Sequence, residues 1–275
     1  MRKIHVTDPV RYQRMTTGEL REHFLVSLFV PGEIDLVYTD IDRAVIGSAV
    51  PTGAPLELTV ASELRADYFL ERRELGVLNV GGPGRVSVDG TAFSMGSGDG
   101  LYVGRGSREV RFESDSPDAP AAFYLLSYPA HATYPTTHAR KADAEAAPLG
   151  AAATCNQRTI YKYIHPGGIK SCQLVMGFTE LAEGSCWNTM PTHTHDRRSE
   201  IYLYFNLAAD TRIIHLMGAP DETRHLVVAD RQAVLSPSWS VHSGAGTGRY
   251  SFCWGMGGEN QAFDDMDFVP MDHLL

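Results

Sequence analysis

The shortness of the apolar runs is the strongest constraint on what this chain can fold into. Gly76–Val80, Arg85–Val88, Thr91–Met95, Gly100–Val103, Val110–Glu113 and Ala122–Tyr128 are each of strand length and are bounded by turn residues. A helix of ordinary length needs a longer periodic stretch, so these runs predict β-structure. Asp89-Gly90, between two of them, is a strong two-residue hairpin signal because that turn needs positive φ at both positions. The pattern returns at Ile160–Ile164, Cys172–Thr179, Ile201–Asn206, Arg212–Met217, His225–Val228, Gln232–Leu235 and Tyr250–Trp254. Many short strands at such spacing predict sandwiches or barrels. One helix is signalled near the start, where Thr16-x-x-Glu19 reads as a capping box and Leu20 and Phe24 fall on one face.

Between the two β-rich halves, His131–Thr154 is rich in Ala, Thr and Pro and has no sustained apolar period. The expected organisation is all-β with a few short helices: an N-terminal domain over 1–130, a linker over 131–156 and a second domain over 157–275. With 275 residues, 43% of them hydrophobic, the chain is long enough and apolar enough for two cores.

The charge balance excludes several classes of function. With 24 basic against 33 acidic residues the net charge is −9, and no Lys/Arg run is long enough to grip a nucleic acid backbone. The apolar stretch around Phe24–Val30 is far short of a membrane span. Met1-Arg2-Lys3-Ile4-His5 leads into Asp8 and Arg11 rather than an apolar signal core, which sets a cytoplasmic expectation. Cys155, Cys172, Cys186 and Cys253 form no C-x-x-C pair and read as reduced thiols.

The most informative segment is Pro191-Thr192-His193-Thr194-His195-Asp196-Arg197-Arg198-Ser199-Glu200. In an extended stretch, residues two apart share a face, so His193 and His195 can address one point. Glu200 opens the next apolar run and can swing in across a short turn. His242, in Pro237-Ser238-Trp239-Ser240-Val241-His242, follows after room for about three further strands. Three imidazoles and a carboxylate suit a borderline divalent ion with space left for water or a substrate oxygen. A lone His-x-His is a weak signal, but the longer pattern resembles the paired motifs of the cupin superfamily, small β-barrels (jelly rolls) that hold a metal in the mouth.

Further stretches narrow the resemblance. Asn156-Gln157-Arg158-Thr159-Ile160, Cys172-Gln173-Leu174, Trp187-Asn188-Thr189-Met190-Pro191, Glu222-Thr223-Arg224-His225-Leu226-Val227-Val228, Gly258-Glu259-Asn260-Gln261 and Asp40-Ile41-Asp42-Arg43 resemble the 5-keto-4-deoxyuronate isomerase family along essentially the whole chain. The resemblance implies two cupin barrels per chain, one zinc ion held by His193, His195, Glu200 and His242, and a hexamer. It also implies an aldose–ketose isomerisation of 4-deoxy-L-threo-5-hexosulose uronate to 3-deoxy-D-glycero-2,5-hexodiulosonate in pectin breakdown. The alternatives are a 5-deoxy-glucuronate isomerase of inositol catabolism, an iron(II) dioxygenase on the same ligand set, and a non-catalytic sugar-acid sensor.

Other assignments are less constrained. Arg158, Lys162 and Arg224 are candidates for the substrate carboxylate, with ordinary salt bridges the alternative. Gln173 and Asn188 are candidates for sugar hydroxyls. Glu259 is a candidate general base, although a solvated carboxylate is the blander reading. Arg197 and Arg198 read as loop charges, His215 and His225 as structural, and the rings of Trp187, Trp239 and Trp254 as core or cavity wall. Met176, Met190, Met217 and Met256 read as core. In the first half, laying the two halves on one another sets Phe69, Glu71, Gly76 and Glu109 opposite the four ligands, and no His-x-His occurs there, so a metal-free first barrel is expected.

Overall fold

The structure, a computed structural model, describes residues 1–190, 192–262 and 264–275; Pro191, within the histidine motif, lies outside the described residues. The chain divides into two compact units. The first comprises Met1–Lys3, Leu28–Glu145 and Lys162–Met176; the second comprises Ile4–Ser27, Ala146–Tyr161 and Gly177–Leu275. The division falls inside the strands Arg158–Ile164 and Val175–Leu181. All-β character is thus as expected, and Thr17–Phe24 is the one α-helix among the described residues.

The first unit is built on two sheets. One runs in the order Arg2–Ile4, Ile34–Thr39, Val45–Ala49, Phe123–Pro129, Arg73–Asn79, Gly100–Val103, Thr137–Ala139. The other runs Leu56–Glu57, Val110–Ser114, Gly84–Val88, Thr91–Met95. Alternation along Gly84–Val88 buries Val86 and Val88 on one face, where they join Phe112 and Val110 from their own sheet and Val77, Leu101 and Phe123 from the other. Each such side chain contributes about 1.5–3 kcal/mol when fully buried. The hairpin turns at Asp89-Gly90, both with positive φ, in the register Val88↔Thr91.

The second unit repeats the plan. The other seven-stranded sheet, most of it in this unit, runs Glu145–Leu149, Arg158–Ile164, Val175–Leu181, Ser251–Gly258, Arg198–Phe205, Gln232–Ser236, Leu25–Ser27. A four-stranded sheet, Trp187–Asn188, Ser243–Gly246, Ile213–Ala219, Glu222–Val228, lies in the same unit, and His193–Thr194 pairs with Asp267–Phe268 in a two-stranded sheet.

Two features differ from the expected sequential organisation. The stretch read as a linker carries the strands Thr137–Ala139 and Glu145–Leu149, each at the edge of a sheet. Both are half-buried or exposed, so they need no apolar alternation and left none in the sequence. The N-terminal segment Ile4–Ser27 belongs to the second unit. Its helix starts in the predicted capping box, with Thr16 and Glu19 bonded reciprocally, and buries Leu20 and Phe24. Phe24 and Tyr12 pack on Trp239 at ring separations of 6.3 and 4.9 Å. The Tyr12 hydroxyl donates to the Glu222 carbonyl and accepts from the Ala219 amide, each at 2.7 Å. Leu25–Ser27 then adds a strand beside Gln232–Ser236.

In the first unit, the positions laid opposite the ligands carry no such cluster. Phe69 is core, Glu109 is exposed, and the Glu71 carboxylate accepts from the Asp67 amide. A Cβ on Gly76 would meet Met176 Sδ at 2.8 Å and a Leu174 methyl at 2.9 Å, so that space is filled by apolar side chains.

Candidate metal centre

Three separate devices bring the four motif residues together. His193 and His195 flank an extended step, and the two-stranded pairing of His193 with Phe268 fixes the first of them. Glu200 lies in Arg198–Phe205, where it faces Ser236 on one neighbouring strand and Met256 on the other. His242 follows the turn after Ser236; that turn is closed by the Ser240 amide on the Pro237 carbonyl, and the Val241 amide is bonded to the Gly218 carbonyl. Trp239, on the same turn, is the residue against which Tyr12 and Phe24 pack.

All four side chains are buried, and their ligand atoms lie within 4.8 Å of one another. His193 Nε2 is 3.0 Å from His195 Nε2 and 3.1 Å from His242 Nε2. Glu200 Oε2 is 3.0 Å from both His195 Nε2 and His242 Nε2. Such edges match neighbouring ligands around an ion bound at about 2.0–2.2 Å. Burial, then the neighbouring His242, push the His193 imidazole down to about 3, so it is neutral with a lone pair available. Burial opposes the charge on Glu200, but His242 and His195 outweigh it and hold the carboxyl well below the ordinary carboxylate range. A charged carboxylate and convergent imidazole lone pairs, all withdrawn from water, are what a divalent cation satisfies. The donor set therefore fits a metal.

The cluster opens into a cavity of about 280 Å³ within the second unit. Its walls include Arg158, Thr179, Asn188, Thr189, Tyr202 and the apolar side chains of Ile160, Phe252, Trp254, Met266 and Phe268. Tyr202, two residues beyond Glu200 on the same face, packs edge-on against His242 with ring centroids 5.4 Å apart. Burial and the Glu200 charge raise its phenol well above the ordinary range, so it stays protonated. Trp254 is held by its indole N–H on Thr179 Oγ1 at 3.2 Å.

Of the remaining residues singled out from sequence, Arg158, Asn188, Met190, Trp254 and Met256 line this cavity. The others are elsewhere. Lys162 belongs to the first unit and pairs with Glu145 at 3.4 Å. Gln173 donates to the Pro129 carbonyl at 2.6 Å. Its amide, with those of Cys172 and Leu174, caps the buried Glu74 carboxylate, which explains the residue structurally. Arg224 is tied to Glu222 and to the Thr223 and Gln13 carbonyls. Glu259 is exposed and absent from the cavity wall. Arg198 is not a loop charge: it is 1% exposed and begins a strand. His215 is structural as read, its Nδ1 hydrogen-bonded with the Tyr204 hydroxyl at 2.7 Å, and His225 is exposed on its strand. Sequence reasoning missed Tyr202, although its two-residue offset from Glu200 was a usable signal. It also missed Phe268 and Met266, which no local pattern marks.

Two all-β units, one with a buried His3Glu cluster beside a cavity, define an all-β protein with a candidate metal site. Residues 29–271 match the KduI/IolB family, and the chain belongs to it. It is 53% identical over 275 residues to a protein of Opitutus terrae named 4-deoxy-L-threo-5-hexosulose-uronate ketol-isomerase, with 99% of each chain covered. A protein of the same name from Halalkalibacterium halodurans is 52% identical over 275 residues, covering 100% of both. Among solved structures, an iolB-like protein from Salmonella typhimurium LT2 superposes with a TM-score of 0.72 at 15% identity, covering 90% of this chain and 96% of the other. The oxalate decarboxylase of Lactobacillus farciminis gives a TM-score of 0.59 at 9% identity, covering 90% and 88%. These two likenesses establish the cupin fold.

Proposed function

We propose that the chain is a metal-dependent ketol-isomerase that converts 4-deoxy-L-threo-5-hexosulose uronate to 3-deoxy-D-glycero-2,5-hexodiulosonate in the breakdown of pectin-derived uronates. The observation that carries this reading is the full-length identity to proteins of that name, joined to a buried ligand cluster opening on a cavity of single-sugar size. His193, His195, Glu200 and His242 would hold the ion. When bound, a divalent ion supplies Lewis-acid stabilisation of the negative charge that develops as a carbonyl moves to the neighbouring carbon. Arg158 is the cationic side chain among the described wall residues outside the ligand cluster, and it would receive the substrate carboxylate. Asn188 and Thr189 would offer hydrogen bonds to sugar hydroxyls, while Phe252, Trp254 and Phe268 wall the reacting carbons off from water. Glu259 is withdrawn as the base because it stands outside the cavity.

The same reading takes zinc as the ion, one per chain, because the reaction needs no redox change and the donor set suits it. It takes a hexamer in the cytoplasm from the sequence resemblance. Among the described residues no helix is long and apolar enough to cross a membrane. The test is to incubate the purified protein with the 4-deoxy-5-keto-uronate, before and after chelation, and follow carbonyl migration by NMR in D₂O. Chelator-sensitive conversion is expected, and deuterium at the product carbon would favour an enediol over a hydride shift. No conversion by the metal-loaded protein would overturn the assignment, with 5-deoxy-glucuronate the next substrate to try.

A further inference from the structure

Arg197, Arg198 and the stretch after Gly258 have no part in the function proposed above, yet they converge on one ligand. The Asp265 main-chain oxygen lies 2.7 Å from His195 Nδ1 and 2.9 Å from Arg198 Nη2. A carbonyl only accepts, and at 2.7 Å it lies closer to Nδ1 than the Arg198 guanidinium does at 3.2 Å, which assigns the imidazole hydrogen to Nδ1 and the lone pair to Nε2. Nε2 is the atom 3.0 Å from both His193 Nε2 and Glu200 Oε2. The residue that supplies this carbonyl is itself fastened by both carboxylate oxygens. Arg197 Nε donates to Oδ1 at 2.7 Å, and Asn260 donates to Oδ2 at 2.6 Å. Arg197 also reaches Asp267 at 2.7 Å, beside the Phe268 that pairs with His193. Arg198, buried at 1% exposure, sets a second donor on the same oxygen.

We infer that Arg197, Arg198, Asn260 and Asp265 form a clamp that fixes the tautomer and orientation of His195 for the ion, an inference that rests on the metal-centre reading above. They are positioning residues, since they act through His195. Asp265 acts through its main chain, and its carboxylate serves to hold that main chain in place. Loss of such an outer partner costs roughly 10–100-fold in metal affinity.

The experiment compares the full-length wild type with Arg197→Ala, Asp265→Ala, the double variant and Asn260→Ala. Zinc affinity is measured by competition with a chromophoric chelator, and ligand geometry by the visible bands of the cobalt(II)-substituted protein. Each single change is expected to weaken zinc by about 10–100-fold and to shift the cobalt bands. The double variant should be no weaker than the worse single, because both remove the same contact. Arg197→Lys should recover part of the loss. Arg224→Ala, which breaks the ion pair with Glu222 in the same unit, should leave zinc affinity unchanged. Unchanged affinity with an unchanged cobalt spectrum in the double variant would overturn the clamp. Should the ion-pair variants fail to fold, Asn260→Ala decides, since it removes no charge and deletes only the hydrogen bonds of a half-buried side chain to Asp265 and the Ala262 amide. A wild type that binds neither zinc nor cobalt would instead sink the metal reading together with the clamp.

Discussion

At the residue scale, the four cluster side chains turn their polar atoms to one point, so truncating one of them tests the ligand role separately from the fold. His193→Ala or His242→Ala is expected to abolish turnover while the far-UV circular dichroism stays that of the wild type; turnover retained by a metal-depleted variant would refute metal catalysis. Arg158 is tested by where its loss falls in the kinetics. A charged hydrogen bond to a carboxylate is worth about 1.5–3 kcal/mol. Arg158→Ala should therefore raise KM by about 10–100-fold with kcat little changed, the pattern of lost uniform binding. Lys162→Ala and Arg224→Ala, held in ion pairs away from the cavity, should match the wild type in both constants. An Arg158→Ala protein with wild-type KM would remove that residue from the site. His215 sets a pH dependence. Burial, then the nearby His242, lower it from the ordinary 6.5 to about 3, so the folded chain keeps it neutral where the unfolded chain protonates it. Its contribution is complete above pH 6.5 and declines as pH falls toward 3, by up to about 1.4 kcal/mol per pH unit. Urea midpoints in chelator should be lower at pH 5 than at pH 7.5; a midpoint that holds or rises would contradict this.

At the scale of elements, the N-terminal segment is the piece whose role is least evident from its own sequence. Tyr12 accepts from the Ala219 amide, donates to the Glu222 carbonyl and packs on the Trp239 ring of the turn that delivers His242. Tyr12→Phe should cost about 1–3 kcal/mol by leaving that amide unpaired. Tyr12→Ala should cost about 3–5 kcal/mol, because a fully buried ring is lost as well. Denaturant unfolding checks both, and a Tyr12→Ala protein as stable as the wild type would show that the segment does not brace the unit. The contrast with what was legible is physical. The capping box at Thr16 and Glu19 and the hairpin at Asp89-Gly90 are local, made by residues within a few positions of one another, so sequence reveals them. The four ligand candidates were legible because metal chemistry restricts residue type and spacing. Tyr12 against Trp239, Phe268 beside His193 and Asp265 on His195 are pairings across long stretches of chain. Nothing in the spacing of one partner names the other. The edge strands Thr137–Ala139 and Glu145–Leu149 escaped for the opposite reason: half-exposed, they carry no apolar pattern to read.

At the scale of the whole molecule, the ligand cluster belongs to one of two units of similar plan, and the other unit has an apolar core. In the second unit, Glu200, Tyr202 and Tyr204 share a face of a fully buried strand, and that face is polar because the cluster and His215 lie against it. In the first, Met176 and Leu174 occupy the space around Gly76, while Leu75 and Val77 on either side of it join an apolar core. A buried carboxylate with convergent imidazoles is costly without a cation, whereas an apolar core has no such debt. Metal binding should therefore stabilise the two units unequally. An ion present at 100 times its dissociation constant adds about 2.7 kcal/mol to the state that binds it, roughly 100-fold in an opening equilibrium. Hydrogen exchange with and without chelator makes the difference visible strand by strand. Chelation should speed exchange at Ile201–Phe205, Gln232–Ser236 and Ser251–Gly257 by up to that factor. It should leave Leu75–Leu78 and Phe123–Tyr128 at their metal-loaded rates. If the strands of the first unit lost protection in step with those of the second, the chain would open as one cooperative body, and the ion would stabilise both units together.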